Sequence, residues 1–278
     1  MDVEKFFAAS VKELEGLPYY EVVSRLGLLS FNTQGNRPIE LVAELTNISG
    51  SSTVLIVGCG SGGTAVHLAE ATGAAVLGID VSAVSIRGAC ALASKSPAYE
   101  NVFFLVGDAH ALPFKIGSFD VVVTEYVAFF LRQSAFEGFF SALKPSGYVA
   151  LAELMKDPKV DAAADAEILK AEESYSEVLG YRFHIPLSTE YVDCLARAGF
   201  VDVNVSERFR SPSFRRMVRN VGGWANLFRI LWVTLRLMFS SSKLRRMFLQ
   251  VGRVKRVLVE DRSTAKYVFQ AVITARKP

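Results

Sequence analysis

The chain is poor in the residues that build metal centres and disulfide frameworks. Among its 278 residues there are three cysteines and three histidines. Cys59, Cys90 and Cys194 are odd in number and far apart, and no C-x-x-C occurs. That usage fits a reducing, cytoplasmic setting without a disulfide scaffold. His67, His110 and His184 are equally scattered, so no ligand set for a metal is expected. No stretch of about 18 uncharged apolar residues is present, so nothing reads as a bilayer span. The opening MDVEKFFAASVKELEGL carries acids and no long apolar run, and does not read as a secretory signal. Internal repeats and low-complexity linkers are also missing.

What is present is an apolar chain with uneven charge. Hydrophobic residues make up 51% of it, with 20 Phe, enough to bury a sizeable core. Charged residues make up 21%, an ordinary globular share that argues against large-scale disorder. Net charge is only +3, yet Glu207 to Arg262 holds 14 Lys and Arg against 3 Asp and Glu. An acidic body therefore carries a strongly basic late segment, and that asymmetry points to a partner or surface for the segment.

From residue 53 strand and helix patterns alternate. TVLIVG is nearly continuous in apolar residues, as a parallel strand covered on both faces would be. GGTAVHLAEATG is a helix closed by Gly73. AAVLGID, NVFFLVGDA, SFDVVVTEY and YVALAEL are further strands, with VSAVSIRGACALAS and QSAFEGFFSALKPSG as helices between them. DAAADAEILKAEESYSEVL reads as an inserted helix. STEYVDCLARAGF leads into VDVNVS as a sixth strand, and YVFQAVITAR is a seventh. The alternation predicts an α/β fold, a doubly wound, mostly parallel seven-stranded sheet with an antiparallel last strand and a helical insertion or cap. The partly polar second face of the seventh strand (Gln270, Thr274) suits a place near a sheet edge. The expected organisation is N-terminal helices forming a lid over 1–50, a cofactor-binding core over 51–206, a basic, apolar helical insertion over 207–263, and the final core strand over 264–278.

The glycines after the first strand carry the chemistry. Gly58, Gly60 and Gly63 fit the G-x-G-x-x-G of dinucleotide sites, while Gly58, Gly60 and Gly62 fit a tighter G-x-G-x-G. Either turn presents backbone N–H groups at a helix N-terminus, suited to a pyrophosphate or to the carboxylate of an amino-acid-like cofactor. Asp80 ends the second strand, 22 residues after Gly58. A carboxylate there can accept hydrogen bonds from both ribose hydroxyls of either cofactor class.

The downstream pattern separates the two classes. VLIVGCGSG, VLGIDVS, GDAHALPF and SFDVVV in that order resemble the class I S-adenosylmethionine-dependent methyltransferases. The look is nearest to the small-molecule branch that includes the ubiquinone and menaquinone C-methyltransferases. It covers roughly residues 38 to 155. The resemblance implies S-adenosyl-L-methionine as cofactor. Gly58, Gly60 and Gly62 would let backbone approach its methionine part, Asp80 would hold the ribose, and Val81 would lie against the adenine. Asp108 and Ala109 would border the adenine, and Glu125 and Tyr126 would face the sulfonium and substrate as the catalytic pair. The family usually has an acid two residues before the first glycine, and here that position is Ile56. The Asn-Pro-Pro-Tyr type of signature found in adenine-amino methyltransferases is missing too, the matching place reading TEYV.

Methyl transfer needs chiefly a nucleophile held in line with the methyl group, with a base only if a proton must leave. Glu125 is the first candidate base, followed by His110, Glu153 and His184. Cys59 reads as a small filler of the turn, and His67 as a helix histidine of core or surface. Tyr19 and Tyr20 read as packing or as part of a lid, with Asn36 and Arg37 near the cleft entrance. In the basic segment, Arg229, Arg236 and Lys243 share one face if a single helix runs through. Trp224, Phe228, Leu231, Trp232, Leu235 and Phe239 fill the other. That segment is expected either to bury its apolar face as a cap or to lie on an anionic membrane surface. Nucleic acid is the weaker partner, because no zinc finger or RNA-binding motif accompanies the basic residues. The functional expectation is methylation of a small, hydrophobic acceptor, a quinone or lipid precursor. A binder that has lost catalysis and a nicotinamide-dependent oxidoreductase are the rival readings.

Overall fold

The computed structural model describes residues 11–17, 19–25, 34–209, 218 and 223–278. They divide into two compact units. One comprises Gly35–Pro158, Ile185–Arg210 and Phe269–Pro278; the other takes the described residues of Met1–Gln34, Lys159–His184 and Ser211–Val268. The boundary expected at residue 50 thus falls between Gln34 and Gly35, and the inserted helix over 162–179 belongs with the basic segment.

The first unit is built on a seven-stranded sheet. Its strands are β1 (Thr53–Val57), β2 (Ala75–Asp80), β3 (Val102–Val106), β4 (Phe119–Glu125), β5 (Leu143–Lys156), β6 (Val201–Phe209) and β7 (Val268–Arg276). The spatial order is β3-β2-β1-β4-β5-β7-β6. β1 pairs in parallel with β2 and β4, β2 with β3, and β4 with β5, while β6 and β7 are antiparallel. The order reverses between β1 and β4, and ligands bind outside the carboxyl ends of strands at such a switch point.

The apolar run of β1 is explained by its two faces. Val54 and Ile56 enter one buried cluster, with Ile39 and Val42 of α3 (Arg37–Thr46) and Ala65 and Leu68 of α4 (Gly63–Thr72). Leu55 and Val57 enter another, with Phe136 and Phe139 of α6 (Gln133–Ala142) and Leu195 of α8 (Ser188–Arg197). Between these, α5 (Ala83–Ala93) starts at an N-cap in which the Ser82 hydroxyl accepts the N–H of Ser85.

One strand departs from expectation in its start. β5 begins at Leu143, not at Tyr148, because Lys144 reaches Asp120 at 2.8 Å and Ser146 adopts φ +64, so KPSG bends within the strand. β7 is near the sheet edge and antiparallel to β6, as expected. It lies between β5 and β6, and Gln270 and Thr274 are buried with the rest of it.

The helical unit contains α1 (Val11–Glu15), α2 (Tyr19–Arg25), α7 (Ala162–Leu179), α9 (Trp224–Ser240) and α10 (Ser242–Lys255). Leu14, Val22, Val23, Val233, Leu237 and Leu244 form its core. The basic segment is not one continuous helix. Ser241 leaves helical geometry, and its hydroxyl accepts the N–H of Leu244 to start α10. Lys243 therefore does not continue the face of Arg229 and Arg236. The expected burial of the other face also fails, since Trp224, Phe228, Leu231, Trp232, Leu235 and Phe239 are all exposed.

Candidate cofactor and active site

Four neighbouring strands end at one edge of the sheet unit, and the predicted residues follow those ends. β1 opens into the glycine turn, β2 ends in Asp80, β3 leads to Asp108, and β4 ends in Glu125. The turn is bound to its neighbour strand: the N–H groups of Gly58 and Cys59 donate to the Ile79 carbonyl at 2.8 and 2.9 Å. Asp80 continues the link. One carboxylate oxygen accepts the N–H of Gly60 at 2.9 Å and the other the N–H of Ser82 at 2.8 Å. Each oxygen keeps a second lone pair for a ligand hydroxyl.

The three glycines do different jobs. All have positive φ. A Cβ on Gly58 would lie 2.3 Å from the Val127 side chain, and one on Gly62 2.8 Å from Ala89 and Phe104. Those two permit close packing within the protein. A Cβ on Gly60 would meet no protein atom within 4 Å, so this is the glycine whose backbone borders open space. Gly63 is already the first residue of α4 and shows no left-handed backbone.

Asp108 and Ala109 come next to Asp80 through the N–H of Gly107, which donates to the Asp80 carbonyl at 3.0 Å. Asp108 accepts the backbone N–H of His110, and this bond, with that from the His110 ring, holds its carboxyl below the usual range. The His110 ring is committed on both nitrogens, Nδ1 at 2.9 Å from Asp108 and Nε2 accepting the N–H of Arg132 at 3.2 Å. That pairing places the ring proton on Nδ1 and removes His110 as a base. Ala109 is buried, whereas Val81 is 72% exposed.

On β4, Glu125 accepts a hydrogen bond from the Thr64 hydroxyl in the first turn of α4. Tyr126 follows with φ +55, a conformation that costs a non-glycine residue energy and concentrates at functional sites. Its hydroxyl donates to Gln270 Oε1 at 3.2 Å. Glu153, a candidate base, is instead fully buried below this turn. It accepts from the Thr124 hydroxyl at 2.7 Å and from the N–H groups of Val127 and Ala128 at about 3.0 Å. Burial raises its carboxyl to about 7 despite those bonds. His184 belongs to the helical unit and pairs there with Glu172 at 2.7 Å.

The other expectations resolve as packing. Tyr19 packs against Tyr175 and Phe248 in the helical unit, and burial pushes its hydroxyl up to about 12. The Tyr20 side chain lies outside the described residues. Asn36 binds His67 at 3.0 Å, joining the start of α3 to α4, and Arg37 pairs with Glu44. Cys59 is buried, and burial raises its thiol out of the reactive range. Ile56 is 1% exposed and packs in the core. The sequence did not point to Thr64, to Gln270 as the partner of Tyr126, or to Glu153 as the holder of the turn. The signal for Glu153 was an acid inside the apolar run YVALAEL.

The fold and the family comparison agree. Residues 54–147 match the methyltransferase domain family. That stretch runs from β1 into β5 and takes in the glycine turn, Asp80, Asp108 and Glu125. Phosphoethanolamine N-methyltransferase 1 of Arabidopsis thaliana is 31% identical over 195 residues, which is 69% of this chain and 37% of that protein. The chain thus spans little more than a third of that relative's length. Among solved structures, the [4+2]-cyclase SpnF matches with a TM-score of 0.65 at 21% identity, over 87% of this chain and 80% of its own. Phosphoethanolamine N-methyltransferase 2 of Haemonchus contortus, solved with S-adenosyl-L-methionine, matches with 0.62 at 19% identity, over 87% of this chain and 52% of its own. The two phosphoethanolamine enzymes carry an acceptor name other than a quinone. The residues present fit S-adenosylmethionine: an open-faced glycine turn, a carboxylate with spare lone pairs at the β2 end, and acids at the ends of β3 and β4.

Proposed function

We propose that the protein is an S-adenosylmethionine-dependent methyltransferase acting on a small, hydrophobic acceptor of the quinone or lipid-precursor kind. The observation that carries the reading is the Asp80–Gly60 pair. It fixes a carboxylate suited to ribose hydroxyls beside the one glycine of Gly58, Gly60 and Gly62 that opens to space. The cofactor supplies a methyl group on a positive sulfur, which needs no strong catalyst. The protein's part is to hold and orient. Asp80 would receive the ribose hydroxyls, and Asp108 and Ala109 would border the adenine beside Val81. Gly58 and Gly62 would act indirectly, by allowing the packing that keeps Gly60 in place.

Glu125 would face the reacting centre from the β4 end, its carboxylate oriented by Thr64. Of the four base candidates it is the one that lies in the cradle without its carboxylate being buried under backbone donors. Tyr126 would present its ring and hydroxyl to the acceptor. The hydrophobic acceptor rests on the apolar character of the helical unit, and we extend the partner reading to an anionic membrane surface met by residues 207–262.

The test is direct. Calorimetric titration is expected to show binding of S-adenosylhomocysteine and none of NADH. Tritiated S-adenosylmethionine with a panel of quinols, lipid precursors and phosphoethanolamine is expected to label a hydrophobic member. Binding of NADH alone would make the protein an oxidoreductase. Tight S-adenosylhomocysteine binding without labelling of any acceptor would make it an inactive binder.

A further inference from the structure

We propose that the outward face of α9 is an interfacial membrane anchor. It would seat Phe228, Leu231, Leu235 and Phe239 in the headgroup–acyl boundary of an anionic bilayer. The proposal rests on the reading that residues 207–262 meet an anionic surface, and it specifies the mode: insertion of an apolar helix face, not contact by charge alone.

The helix is apolar on two opposite sides. Val233 and Leu237 point inward to the core of the helical unit. At 100° per residue, Phe228, Leu231, Leu235 and Phe239 gather on a stripe about half a turn away. Phe239 is 84% exposed and Phe228 62%. Single exposed apolar residues are ordinary, but a continuous stripe marks an interaction surface. A helix apolar on both sides with only one side buried has a second apolar medium to meet.

Charge selects the medium. No Asp or Glu occurs between Arg208 and Val259. Lys243, Arg245, Arg246 and Arg253 of α10 are exposed, and at 100° per residue Arg229 and Arg236 line one edge of the α9 stripe. The Arg236 guanidinium lies 5.5 Å from the Trp232 ring centroid, its stem alongside an apolar surface with the charge at the rim. Pairing two copies through this stripe would bring both sets of cations together with no acid in the segment to neutralise them. An anionic lipid surface receives the stripe and the cations at once. Among the described residues no helix is long and apolar enough to cross a membrane. With 17 residues, α9 is about 25 Å long and would lie in the plane. Ser241 ends the apolar helix and starts the basic one, and its hydroxyl donates to Glu15 at 2.5 Å, fastening the junction to α1.

The chain holds two tryptophans, Trp224 and Trp232, both on α9, so tryptophan emission excited beyond the tyrosine band reports on this helix alone. The full chain is mixed with vesicles of phosphatidylcholine containing phosphatidylglycerol, and with phosphatidylcholine alone. Expected are co-sedimentation and a blue-shifted emission with the anionic vesicles only, quenching by brominated acyl chains, and a bound fraction that survives salt. Phe228→Ser combined with Phe239→Ser is expected to lower partitioning roughly tenfold or more. Circular dichroism and S-adenosylhomocysteine affinity should stay unchanged. Sedimentation that salt abolishes, with no emission shift, would overturn insertion while leaving surface charge as the contact. No sedimentation would overturn both. An emission shift without lipid that follows dimer mass, or one produced by single-stranded RNA, would assign the face to a second copy or to nucleic acid and overturn the proposal. Cofactor affinity measured on the same samples keeps the methyltransferase reading separate from each result.

Discussion

The backbone N–H of Ala128 donates to the Glu153 carboxylate at 3.0 Å, two residues beyond the strained Tyr126. The same carboxylate holds Val127 and Thr124, so one buried acid fixes the whole turn at the β4 end. Its pKa is raised from 4.5 to about 7, first by burial. The folded state therefore binds this proton more tightly than the unfolded state does. The associated stability is fully present below about pH 4.5 and is lost as pH rises through about 7. Urea unfolding at pH 5 and pH 7.5 is expected to show a decline on the order of 1–3 kcal/mol from this group. Glu153→Gln should flatten that slope, because an amide carries no proton that titrates in this window. An unchanged slope in the variant would assign the pH dependence to another group.

The glycine turn separates folding from binding. Gly60→Ala places its methyl where no protein atom stands, so its stability cost is the left-handed backbone alone, roughly 1–2 kcal/mol. Gly58→Ala and Gly62→Ala add collisions with Val127 and with Ala89 and Phe104, and should cost a further 1–3 kcal/mol or so. Cofactor affinity should respond in the opposite order once each variant is measured in its folded state. Thermal melts paired with S-adenosylhomocysteine titrations check both halves. Equal stability losses at all three positions would show that the close approaches at Gly58 and Gly62 relax without cost.

Tyr126 offers a test of stored strain. Tyr126→Ala and Tyr126→Gly both remove the ring, its contact with Phe129 and the bond to Gln270. They differ by one Cβ at φ +55. Tyr126→Gly is expected to be the more stable by about 1 kcal/mol, less the entropy glycine gains when unfolded. Tyr126→Phe keeps the backbone and loses only the hydroxyl, so it should fold like the parent and report in the rate of methyl transfer. Equal stability of the alanine and glycine variants would mean that the turn carries no strain.

The first four strands were legible because each is an apolar run, and Gly58 and Gly107 punctuate the ends of β1 and β3. Asp80 and Glu125 stood out as charges at the ends of apolar runs, and the methyltransferase resemblance gave them their expected roles. The start of β5 was not legible, since KPSG carries turn residues and enters the strand only through Lys144 on Asp120 and Ser146 on Lys277. Thr64 and Gln270 were hidden for a different reason. Each gains its role from a partner far along the chain, Glu125 and Tyr126, and no local period marks such a pair. The break between α9 and α10 did leave a trace, in the serines at 240–242. A serine that caps a helix and one that interrupts it read alike until the N–H of Leu244 is seen on Ser241.

Asp80 has two tasks that one substitution would confuse, and a pair of ligands separates them. Its carboxylate shapes the turn through Gly60 and is proposed to hold the ribose. Asp80→Ala is expected to weaken S-adenosylhomocysteine binding by about 1.5–3 kcal/mol, the worth of hydrogen bonds to a charged group. A ligand lacking both ribose hydroxyls has nothing to give that carboxylate, so the same variant should bind it with nearly the parent's affinity. Asp80→Asn should fall between, since its amide keeps one accepting oxygen for Gly60 or Ser82 and loses the charge. Calorimetry with both ligands on all three proteins closes the cycle. Equal losses for the two ligands in Asp80→Ala would move the effect from the ribose to the turn. Asp80 would then be a residue that holds Gly60 open and makes no contact with the cofactor.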